Sequence, residues 1–181
     1  MTEAGPVDFK DKGCEEVPVV ECERYSLVAA LPDHNLWVVY LGYYEGGSYI
    51  LVDIKTGKVT DVGGFPLFSP DGRRFITVSN EPYDLPILAI WKLQQKEIAK
   101  EWGYDFATDR PEGEWSYCVE RWAGNNRVIL EGRGNLVIDK GPGVVGADRF
   151  RSIFLTGRTS LRFDGATWHY RQPLRLKREA G

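Results

Sequence analysis

The residues best placed to do chemistry lie in one stretch, Trp102-Gly-Tyr-Asp-Phe-Ala-Thr-Asp-Arg-Pro-Glu-Gly-Glu-Trp115. It combines the aromatics Trp102, Tyr104, Phe106 and Trp115 with the acids Asp105, Asp109, Glu112 and Glu114. Aromatic anchors inside a polar rim suit a contact with a protein or a sugar. Two carboxylates at a set separation could also do acid–base work on a glycoside. In the plainest reading the aromatics cover the side of the domain and the acids face water. The stretch is longer than a connection between short strands needs to be, and such loops often carry function.

Elsewhere the material for catalysis is thin. The chain has two histidines. His34 falls in the turn Pro32-Asp-His-Asn35 and His169 in the aromatic run Trp168-His-Tyr170. Both read as turn or packing residues before they read as bases. There is no Gly-x-Ser-x-Gly elbow, phosphate-cradling loop or His-Glu-x-x-His helix. No Cys-x-x-Cys pair or calcium-loop pattern offers a metal site. The expectation is therefore a non-enzymatic chain without cofactor or metal. A second candidate surface is the loop Gly42-Tyr-Tyr-Glu-Gly-Gly47, whose Tyr44 has a counterpart, Tyr83, in Glu81-Pro-Tyr-Asp-Leu-Pro86.

Those loops need strands to hold them. Twenty Gly, ten Pro, 13% aromatics and a single Met in 181 residues favour short strands joined by tight turns. Leu36-Trp-Val-Val-Tyr-Leu41 is apolar at every position, so both faces of that strand must be covered. Residues 35–63 slid forward by 39 fall on 74–102 without a gap: Leu36 meets Phe75, Trp37 Ile76, Leu51 Ile90 and Val59 Ile98. A several-stranded unit recurring at about 40 residues is the signature of a propeller blade. A fainter third copy runs through Asn126–Glu131 and Asn135–Asp139, joined by a turn at Gly132-Arg-Gly134.

The central stretch Phe68-Ser-Pro-Asp-Gly-Arg-Arg-Phe-Ile-Thr-Val-Ser79, followed by Ile87-Leu-Ala-Ile-Trp-Lys-Leu93, resembles the WD-like β-propeller repeat of the TolB type. Tyr49-Ile-Leu-Val-Asp-Ile-Lys-Thr-Gly-Lys58 looks like the closing strand and hairpin of such a repeat. The resemblance covers residues 36–102 and, weakly, 126–140. It implies an all-β fold of antiparallel four-stranded blades and implies no chemistry, since these repeats serve as binding platforms, subunits and non-catalytic domains. Complete propellers of this type have more blades than the roughly four that this length allows. The expected architecture is thus a small or partial propeller, or a β-sandwich of blade-like units. Its expected limits are a flexible leader over 1–13, one domain over 14–172 and a basic tail over 173–181.

Charge and cysteines bound the setting. The net charge of −3 gives no general attraction to nucleic acid. No apolar run approaches the roughly 20 residues that span a bilayer, so no membrane insertion is expected. Residues 1–34 carry eight acids and three bases, and 141–181 carry eight bases and three acids. Either the two ends complement each other or the basic end meets an acidic partner. Cys14 and Cys22 could close a short loop in an oxidising compartment, and Cys118 reads as a small core residue. No signal peptide is seen, and a periplasmic or secreted location is expected, with a cytoplasmic one left open. The functional expectation is a protein-binding module of inhibitor or immunity type. The alternatives are a glycan-binding or glycan-active domain and a subunit completing a larger propeller, the last requiring homo-oligomers or a partner.

Overall fold

The computed structural model describes residues 5–79, 87–94, 97–105, 114–139, 150–170 and 177–178. The chain is all-β, as its composition and turn spacing predict, and its strands form three antiparallel sheets. It divides into two compact units, 1–104 and 105–181.

The first unit holds two four-stranded sheets, each a simple meander. Sheet one comprises β1 (Glu23–Leu31), β2 (Leu36–Tyr43), β3 (Gly46–Asp53) and β4 (Val59–Asp61). Sheet two comprises β5 (Leu67–Phe68), β6 (Arg74–Ser79), β7 (Ile87–Gln94) and β8 (Glu97–Asp105). The all-apolar run at 36–41 is covered on both faces. Leu36, Val38 and Leu51 are fully buried on one face, while Val39, Ile50 and Val52 are buried on the other. Val7 and Phe9, from the segment read as a leader, pack on that second face. The Tyr25 N–H donates to Asp11 Oδ1 at 2.9 Å and holds the same segment against β1.

Turn chemistry sets the strand ends. Between β3 and β4, Asp53 Oδ1 accepts the N–H groups of Lys55 (2.9 Å) and Thr56 (2.7 Å), and Gly57 takes φ 72°. Between β5 and β6, the buried Ser69 hydroxyl accepts from the Arg74 N–H at 3.1 Å and lies 2.7 Å from Asp71 Oδ1. Burial alone would raise the Asp71 carboxyl. Its bonds from Ser69 and the Arg73 N–H outweigh that, and the net shift is downward. Arg74 then pairs through two nitrogens with Glu101 of β8, at 2.6 and 2.9 Å, pinning the first residue of β6 to the far edge of the sheet.

Strand registers relate the two sheets more closely than a gap-free alignment does. Trp37 pairs with Ala30 on one side and Val52 on the other; Phe75 pairs with Phe68 and Trp91. Trp37 therefore corresponds to Phe75, one residue short of the expected offset, whereas Val52 and Trp91 keep it. The path from Phe75 to its partner Trp91 is one residue longer than that from Trp37 to Val52. Because side chains alternate between faces, that one residue decides which faces are equivalent.

The face of sheet one bearing Val39, Ile50 and Val52 corresponds to the face of sheet two bearing Thr77, Ala89 and Trp91. In sheet one that face is covered by Val7 and Phe9. In sheet two its Phe75 and Trp91 pack on the opposite face of sheet one, against Leu36, Val38 and Leu51. The sheets stack head to tail. Each buried side chain in this seam contributes about 1.5–3 kcal/mol.

The second unit is built differently. It contains β9 (Glu114–Trp122), β10 (Arg127–Asp139), β11 (Phe150–Phe163), β12 (Trp168–Tyr170) and β13 (Lys177–Arg178), in the order β12-β11-β10-β9 with β13 also on β11. The turn expected at Gly132-Arg-Gly134 is absent: β10 runs straight through it. Neither glycine takes a positive φ, and Gly132 lies opposite Gly157 of β11. Its partner β11 is likewise one unbroken strand over Phe150–Phe163. Tyr117, Val128, Leu130, Leu161 and Trp168 are buried in this unit.

Val19–Glu21 forms a single 3-10 turn after Pro18, inside a loop closed by a Cys14–Cys22 disulfide with Cα atoms 5.0 Å apart. One smaller expectation changes. Cys118 is exposed, because its neighbour Tyr117 takes the inward position on β9.

Candidate functional site

The stretch 102–115 is only partly within the described residues. Trp102 and Tyr104 lie two apart on β8 and so share a face. Their rings stack with centroids 6.1 Å apart and planes inclined by 14°, both half-buried. Asp105 ends β8, and Trp115 sits near the start of β9 opposite Gly134. Phe106, Asp109 and Glu112 lie outside the described residues. Among the described residues the structure brings Trp102 and Tyr104 together.

The second candidate is a tight turn. Tyr44 and Glu45 connect β2 to β3 between the paired residues Tyr43 and Gly46. Tyr44 is 45% exposed, and Glu45 has φ 61°, a left-handed conformation that few non-glycine residues adopt. A hydrogen bond from the Tyr44 phenol to the Glu45 carboxylate, together with that charge, raises the phenol above its ordinary value. Tyr83, the proposed counterpart, lies outside the described residues.

Both histidines are tied into structure. His34 stacks on Phe68 with centroids 3.8 Å apart and lies over Gly72 in the next turn. His169 sits 2.6 Å from Asp164 Oδ2 beside the turn at Asp164-Gly165. Among the described residues no three His, Cys, Asp or Glu side chains converge as a metal site would require.

A third site escaped the sequence reading. Within the first unit, a half-open cleft of about 280 Å³ lies between the two sheets. Ser48 and Asp61 line it from sheet one; Thr77, Ala89, Trp91 and Lys100 line it from sheet two. Asp61 Oδ1 accepts from the Ser48 hydroxyl at 2.5 Å and from the Gly63 N–H at 3.0 Å. The Trp91 indole N–H donates to Thr77 Oγ1 at 3.0 Å, which fixes the ring. Lys100 Nζ lies 6.0 Å from the centre of that ring. A signal was present: Asp61 and Lys100 occupy equivalent places in the repeat, one offset of 39 apart. Position in a repeat says nothing of what a residue faces until the stacking is known.

Comparisons of the chain with protein families, curated proteins and solved structures give no match.

Proposed function

We propose that the chain is a non-catalytic binding module whose blade-like sheets hold an aromatic contact surface against a protein partner. The observation that carries this reading is the stacked Trp102–Tyr104 pair at the end of β8, half-exposed and leading into the acid-rich connection. Paired aromatics at a surface supply contact area with little conformational entropy to lose, and they recur where binding energy is concentrated. The histidines, the usual source of a general base, are committed to a stack and a turn. Head-to-tail stacking of the first two sheets favours a WD-like array of the TolB type, in which each sheet acts as one blade. A disulfide-closed loop favours an exported setting, where an inhibitor or immunity-type role fits.

The test is a pull-down from envelope and soluble fractions with wild-type bait beside a Trp102→Ala/Tyr104→Ala double variant. Recovered candidates are then titrated as purified proteins. A purified partner that binds wild type and loses at least about tenfold in affinity with the variant supports the reading. A partner that binds both equally moves the contact elsewhere. Binding to a glycan array that the double variant abolishes would replace the protein partner by a sugar.

A further inference from the structure

We propose that the second unit's sheet carries a phosphate site on its outer face, where Arg127 of β10, Arg162 of β11 and the Ser160 hydroxyl hold one phosphate monoester group. The proposal does not depend on the Trp102–Tyr104 surface and stands or falls separately from it.

Arg127 and Arg162 lie directly opposite each other in the β10–β11 ladder. The Phe163 N–H donates to the Asn126 carbonyl at 2.9 Å, so Asn126–Phe163 is a hydrogen-bonded pair and Arg127–Arg162 the adjoining non-hydrogen-bonded one. Side chains come closest in such pairs, with Cβ atoms about 4.5–5.5 Å apart, and like charges placed there destabilise a sheet. Both arginines are exposed, and neither has an ion pair or a side-chain hydrogen bond among the described residues. The other described arginines of this face are matched. Arg121, Arg133 and Arg158 share the face by strand alternation. Glu120 lies 2.7 Å from Arg158 and 3.7 Å from Arg121, and Glu131 lies 3.1 Å from Arg133. His169, beside Arg162 on β12, is bonded to Asp164, whose other oxygen takes the Ala166 and Thr167 N–H groups. The described acids here are thus engaged, and the Arg127–Arg162 pair is left with its charge uncompensated.

Ser160 adds a second, independent sign. It shares the face, two residues before Arg162 and diagonal to Arg127 in the ladder. It is 8% exposed, and its hydroxyl has no hydrogen-bond partner among the described residues. A buried hydroxyl left unmatched costs free energy, which an acceptor oxygen from a ligand recovers. The chemistry of the three donors selects the ligand. A guanidinium presents a fork of parallel N–H groups that fits an oxyanion, and a carboxylate, with one charge and two oxygens, is matched by one fork. A phosphate monoester carries close to two charges at neutral pH and three acceptor oxygens. It therefore matches two forks and a hydroxyl together.

The full chain, labelled with ¹⁵N, is titrated in about 0.1 M sodium chloride while the arginine Nε–H signals are followed. The probes are glycerol phosphate, a capped tripeptide centred on phosphoserine, and the same tripeptide with glutamate in its place. Arg127→Gln and Arg162→Gln assign the signals. Both phosphate probes should give saturable shifts, and the glutamate tripeptide should bind at least about tenfold more weakly. A phosphoserine tripeptide bound at least about threefold more tightly than glycerol phosphate identifies a phosphorylated protein as the source. Any smaller ratio identifies a free phosphorylated small molecule. Arg127→Gln and Arg162→Gln should each weaken the phosphate probes by about tenfold or more, and Ser160→Ala by about threefold. Arg133→Gln, which removes an arginine matched to Glu131, should change binding by less than about twofold. All three arginines are exposed, so their variants keep the test decisive even if Ser160→Ala fails to fold. No saturable shift up to about 20 mM, past the millimolar range of weak specific binding, would overturn the proposal. Glutamate binding as tightly as phosphate, Arg133→Gln weakening phosphate as much as Arg162→Gln, or a folded Ser160→Ala that binds phosphate unchanged would do the same.

Discussion

Both units hold glycines in turns and glycines in strands, and the instructive contrast is between the turn glycines of the first and those inside the long strands of the second. In the first, Gly57, Gly63 and Gly72 take positive φ and sit in turns, so strands stay short and each sheet closes into a compact meander. In the second, Gly132, Gly134 and Gly157 lie inside strands, with Gly132 opposite Gly157, and β10 and β11 run on for 13 and 14 residues. A glycine flanked by polar residues reads as a turn in either place. What separates them is the partner strand. Where a long neighbour supplies a continuous ladder, the backbone stays extended and the missing side chains face one another. The second unit is thus a long ribbon with flanking strands, and the first is a stack of two four-stranded sheets.

The largest effect should come from cutting the seam that makes the first unit a stack. Phe75 is fully buried and packs with Leu36, Val38 and Leu51 of the other sheet. Phe75→Ala should cost about 3–5 kcal/mol, from lost transfer energy and the cavity left behind, read as a lowered urea midpoint. Hydrogen exchange then locates the damage. Protection should fall in β2 and β3 as well as in β6 and β7. Loss confined to β6 and β7 would show that the sheets do not depend on each other, and the head-to-tail stack would not stand.

A smaller pair of substitutions tests the contrast between glycines directly. Gly57 has φ 72°, so Gly57→Ala forces a side chain into the left-handed region and should destabilise by about 1 kcal/mol. Gly157 lies within β11, and its partner across the ladder, Gly132, has no side chain. Gly157→Ala should be stabilising by up to about 0.5–1 kcal/mol, because alanine loses less backbone freedom on folding. Opposite signs in denaturation midpoints would establish the contrast. Matching signs would mean that the ribbon's glycines serve close packing instead of extension.

Local chemistry was the legible part of this chain. Ser69-Pro-Asp-Gly72 announces its turn because the groups that stabilise it lie within a few residues. Leu36–Leu41 announces a strand covered on both sides because alternation leaves no other use for six apolar residues. Cys14 and Cys22 are near enough in sequence that the loop between them could be foreseen. What was hidden depended on neighbours far along the chain. The unbroken course of β10 is dictated by β11, which pairs with all of it. Cys118 faces out because Tyr117 faces in. The one-residue slip between the repeats is invisible in a gap-free alignment and still reverses which faces correspond. The cleft assembles residues from both sheets, and no local pattern could have gathered Asp61 with Lys100.

The smallest effect concerns how the ribbon ends. Asp164 Oδ1 accepts the N–H groups of Ala166 (2.8 Å) and Thr167 (2.9 Å), and Oδ2 meets His169, so one carboxylate organises the turn from β11 to β12. The bond from the Thr167 N–H, then those from Ala166 and His169, hold the Asp164 carboxyl far below its ordinary value. A carboxyl with a lower value folded than unfolded adds stability that is complete above the unfolded value, about 3.9. That contribution drains away as pH falls below it, since the proton then binds the unfolded chain more readily. Asp164→Asn keeps an oxygen for the two N–H groups and removes the charge. The stability difference between wild type and variant should therefore be constant from pH 7 to about 5 and shrink steadily below about 4. In the first unit the β3–β4 turn is likewise closed by a carboxylate, Asp53, and both turns carry a glycine at positive φ, Gly57 at 72° and Gly165 at 105°. A difference that stayed flat through the acid range would mean that the Asp164 turn is held by backbone geometry and not by the charge.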